Sequence, residues 1–110
     1  MELSTAISRF AALGREGQLR FLARFGFNLT IAARDTFVPQ ADGVHAPERL
    51  RLISECQHRI FDHMSALMNT SEWRRPDETI VSILLDHTDQ KLKSQAAWAF
   101  EEALDRSAAV

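Results

Sequence analysis

Apolar residues recur along this chain at three- and four-residue steps, the period of an amphipathic helix, and no stretch sustains a two-residue alternation. The pattern predicts helices almost throughout. A first, short helix is expected from about Ser4 to Leu13, with Ile7, Phe10 and Ala11 inward. Ser4 or Thr5 can cap its start, and Gly14 can end it. A second runs from about Glu16 to Thr36 or Phe37, stopped by Pro39, because the residue before proline is pushed out of the α region. The link from Val38 to Ala46 carries the turn signal Asp42-Gly43.

Helix three opens at Pro47 with Glu48 behind it, a favoured first turn. Leu50, Ile53, Gln57, Ile60, Met64 and Leu67 then form a heptad-like seam, which is expected to face the core until the helix frays at Asn69. After a linker with Trp73 at its centre, a fourth helix opens at Pro76. Val81, Leu85, Thr88, Leu92, Ala96, Ala99 and Ala103 make its stripe, with a break near Asp86–Asp89 as the alternative. The later stripe positions are small, which lets another helix approach closely. The expected fold is all-α: one domain over residues 1–110, a small bundle of about four helices in which a short leading helix precedes three long ones.

Composition narrows the picture. With 110 residues, 45% hydrophobic and 25% charged, the chain can bury one core, although a shallow one that gains from oligomerising. The net charge of −2 gives no overall drive toward nucleic acid or an anionic membrane. The charges are unevenly placed, however. Residues 1–37 hold five arginines against three acids, whereas residues 76–110 hold seven acids against Lys91, Lys93 and Arg106. Complementarity between packed helices is the simplest account. The single cysteine, Cys56, excludes an internal disulfide, and no apolar run is long enough to span a membrane. The expected location is the cytoplasm.

Three groups of residues invite a chemical reading. Glu55 and His58 have the three-residue spacing used by helical metal sites, and Asp62 shares their face. At about 100° per residue these three lie opposite the helix-three seam, which points them at solvent. His87 stands among acids that would repel a phosphoryl group. Cys56 flanks the seam as a small apolar filler. No nucleophile elbow, phosphate loop or paired-histidine motif is present, and no cofactor is expected.

Helix two is more informative. Phe21, Leu22, Phe25, Leu29, Ala32, Ala33 and Thr36 form one apolar face, yet Phe27 and Ile31 stand on the other side among Arg20, Arg24 and Arg34. Either helix one folds over this second face, or Arg20, Arg24, Phe27, Ile31 and Arg34 are an exposed interface, built from residue types enriched at binding hot spots. The second reading predicts a non-enzymatic interaction or regulatory module that is homodimeric, with an acidic protein as a further partner. Two rivals come from other classes: a nucleic-acid binder using the same arginines with Phe27 stacked on a base, and a metal-dependent bundle enzyme using Glu55, His58 and Asp62.

Overall fold

In the computed structural model, the described residues are 3–36, 46–69 and 90–108, and all but Leu13 lie in four helices. These are α1 (Leu3–Ala12), α2 (Gly14–Thr36), α3 (Ala46–Asn69) and α4 (Gln90–Ala108). The all-α fold, short first helix then longer ones packed together, is as the periodicity predicts. The Asp42-Gly43 turn, Trp73, the Pro76 start and the possible break at Asp86–Asp89 fall outside the described residues, as does His87.

Between α1 and α2 the chain turns within a single residue. Leu13 donates its amide to the Phe10 carbonyl at 3.2 Å, closing α1, and Gly14 takes φ +70°. That left-handed value is costly for any residue carrying a Cβ. Gly17 has a different role: a Cβ there would stand 2.9 Å from the Leu13 Cβ, so only glycine lets α2 leave the corner so tightly.

α2 is the central element and packs against α1, α3 and α4. Its inner face buries Phe21, Leu22, Phe25, Leu29 and Ala32. An aromatic cluster ties three helices together there. The Phe21 ring sits 5.4 Å from Phe10 of α1 and 5.0 Å from Phe100 of α4, both edge-on, and Phe25 meets Phe100 at 5.3 Å. Such T-shaped pairs add to the apolar area they bury. On α4, Ala96, Ala99 and Ala103 are fully buried, and these small side chains admit α2 closely. Phe100 and Leu104, which the sequence stripe omits, are buried beside them.

The buried face of α3 differs from the heptad seam. Ile53, Ile60 and Leu67 are in the core as expected, but Arg49, Leu52 and Cys56 join them, while Leu50, Gln57 and Met64 are only half-buried. The core face is thus turned by about 50° from the seam. Gln57 explains one edge of this shift: it donates to the Thr30 hydroxyl of α2 at 3.1 Å, which holds it at the rim.

Candidate functional site

The predicted strip on α2 is divided by the fold. Arg24 is not free to meet a partner. Its Nε and Nη2 donate to the Glu102 carboxylate of α4, the shortest contact being 2.8 Å. Asn28, buried one turn on, donates through Nδ2 to the Ala99 carbonyl at 3.0 Å and to Glu102 at 2.6 Å. Arg106 also donates to this carboxylate, through Nε to the Oε1 that Arg24 Nη2 engages. These donors, Arg24 first, outweigh the cost of partial burial and hold the Glu102 carboxyl at about 2, well below the usual carboxylate range. Arg24 and Asn28 are here structural residues.

The uneven charge distribution has the same explanation. Arg9 of α1 pairs with Asp105 of α4 at 2.8 Å, and Arg24 pairs with Glu102, so the basic N-terminal part is joined to the acidic C-terminal part inside one molecule. Arg15 donates instead to the Leu67 carbonyl at 3.0 Å and the Met68 carbonyl at 3.4 Å. It thereby satisfies acceptors that the end of α3 leaves without intrahelical partners.

Phe27 points outward and is 54% exposed, with the Arg24 guanidinium 5.1 Å above its ring. α1 does not fold over it; α1 meets α2 near the corner, through Phe10 and Phe21. Arg20 and Arg34 are also exposed, whereas Ile31 is half-buried. From Glu16 to Arg34 the outward line of α2 consists of Glu16, Arg20, Ala23, Phe27, Thr30 and Arg34. Its centre lies about 40° from the centre of the predicted strip. Two large apolar side chains flank this line. Phe61, 67% exposed, stands one turn beyond Gln57 on the α3 side, and Trp98, 48% exposed, stands one turn before Glu102 on the α4 side. Beside Phe61 a shallow hollow of about 520 Å³ is lined by Ser54, Gln57, His58 and Phe61.

On α3, His58 and Asp62 are exposed and Glu55 is half-buried, 3.5 Å from Arg51. Among the described residues no three metal-ligating side chains gather. Cys56 is buried in the core. No described helix is long and apolar enough to cross a membrane. No protein-family model, curated protein or solved structure matches the chain.

Proposed function

We propose that this chain is a non-enzymatic protein–protein interaction module that works through the outer face of α2, first of all by pairing with a second copy of itself. The exposure of Phe27 between Arg20 and Arg34 carries this reading. A large aromatic ring held in water is a cost that an interface removes, and Phe61 on α3 and Trp98 on α4 are exposed large apolar side chains on the two neighbouring helices. Glu102 supports it indirectly: by engaging Arg24 it fixes the guanidinium over the Phe27 ring and so orders the centre of the face. Nucleic acid is less well served. One of the three arginines is committed within the fold, and Glu16 stands on the same line as the other two.

Sedimentation velocity on the wild type and on Phe27→Asp tests the proposal. The wild type should dimerise in the micromolar range, where association is worth about 8 kcal/mol. Two carboxylates desolvated at the interface, one per copy, cost several kcal/mol, so Phe27→Asp should be a folded, helical monomer. A wild type that stays monomeric throughout that range overturns the homodimer.

A further inference from the structure

The outward line of α2 has an internal symmetry. Glu16, Arg20, Ala23, Phe27, Thr30 and Arg34 follow one another at steps of four, three, four, three and four residues, the spacing of a coiled-coil seam. All six side chains are exposed, so this is a second seam, opposite the one that builds the core. About position 25 the six residues fall into three complementary pairs. Glu16 mirrors Arg34, an acid against a base. Arg20 mirrors Thr30, a donor against a hydroxyl that donates to the Gly26 carbonyl, accepts from Gln57 and keeps one lone pair for a further donor. Ala23 mirrors Phe27, the smallest side chain of the line against the largest.

We infer that two copies associate by packing α2 against α2 antiparallel, on a two-fold axis at the level of residue 25, with Glu16 facing the partner's Arg34 and Phe27 seated over the partner's Ala23. This rests on the homodimer proposed above and adds its occupant and register. Each favourable pair then occurs twice, as a two-fold interface requires. The contact runs from Glu16 to Arg34, about 27 Å of helix. Phe61 and Trp98, on either side of the line, would close against the incoming helix.

The alternatives are worse for definite reasons. A parallel, in-register pair sets Glu16 on Glu16, Arg20 on Arg20 and Arg34 on Arg34, with like charges in half of its layers. An antiparallel pair slipped by one heptad in one direction places Arg34 against Ala23 and leaves Glu16 beyond the contact; slipped in the other, it places Arg20 against Ala23 and Glu16 against Phe27 and leaves Arg34 beyond it. Neither Glu16 nor Arg34 is held by an ion pair among the described residues, so both are available to the partner.

A charge exchange tests the register apart from the dimer itself. Glu16→Arg and Arg34→Glu should each weaken wild-type dimerisation about fivefold to tenfold at low salt, since each turns two attractive contacts into repulsive ones. Glu16→Arg combined with Arg34→Glu should restore dimerisation to within about twofold. Both substitutions put the wrong sign at an end of α2, so the double variant is the least favourable for the isolated helix. Recovery of the dimer in that variant therefore cannot come from helix stability. A wild-type dimer that is indifferent to the single changes, or is not rescued by the pair, overturns the register while leaving the homodimer standing. A monomeric wild type removes both.

Discussion

α2 is flanked by two helices in chemically different ways. Toward α3 the contact is close and apolar at its centre, where Gly26 lies against Ile60 with 3.9 Å left between a would-be Cβ and the Ile60 Cγ2. A neutral bond from Gln57 to Thr30 closes one end, and Arg15 on the Leu67 and Met68 carbonyls, which have no titratable acceptor, closes the other. Toward α4 an aromatic and alanine layer is covered by a charged one, in which Glu102 gathers Arg24, Asn28 and Arg106. An apolar contact is indifferent to pH and salt and is set by shape. A charged rim adds direction and register, but it depends on the ionisation of one carboxyl. The two flanks should therefore fail under different conditions.

The largest losses should come from the apolar layer of each flank. Phe100→Ala should cost about 3–5 kcal/mol and Ile60→Ala about 2–5 kcal/mol in denaturant titrations, since each empties a site that is at least 97% buried. If either costs under about 1 kcal/mol, the corresponding flank is not packed as described.

Next comes Asn28→Ala, expected at about 1–3 kcal/mol, because it removes the donor that joins the Ala99 carbonyl to Glu102 in a buried position. Stability against pH should then separate the flanks. Glu102 has a folded value of about 2 against an ordinary 4.5. Its contribution is complete above the ordinary value and disappears as pH falls from about 4.5 to 2. A loss of about 1–2 kcal/mol is expected from this group, discounted for the partial exposure of its partners. Glu102→Gln should flatten thermal melts in this window, and an unchanged slope would remove Glu102 from the account.

The smallest effects belong to the glycines of α2 and to the outer side of α3. Gly26→Ala should stabilise by up to about 1 kcal/mol, since the new methyl meets Ile60 at ordinary contact distance and the helix loses its glycine penalty. Gly17→Ala, by contrast, should destabilise, because the Leu13 Cβ is too near. On the outer side of α3, His58→Ala should cost well under about 1 kcal/mol. A larger loss would mean that this exposed face is covered.

Helix existence and approximate extent were legible because they rest on local chemistry. Period, Gly14 and Pro47 act over a few residues, and they place α1, α2 and α3 to within about two residues of their ends, although α1 begins at Leu3, ahead of the expected caps Ser4 and Thr5. The inner faces of α2 and α4 were legible for a related reason: Phe21, Phe25, Leu29, Ala96 and Ala103 have little choice but to face a core. What tertiary structure decided is which edge of each stripe is covered and by what. On α3 the amphipathic arc is broad enough to fit two registers, and the core takes Leu52 and Cys56 rather than Leu50 and Met64, because α2 meets it at that angle. On α2, nothing local distinguishes Arg24 from Arg20 or Arg34. Only the arrival of Glu102, far away in the chain, turns the first into a structural cation and leaves the other two facing water beside Phe27.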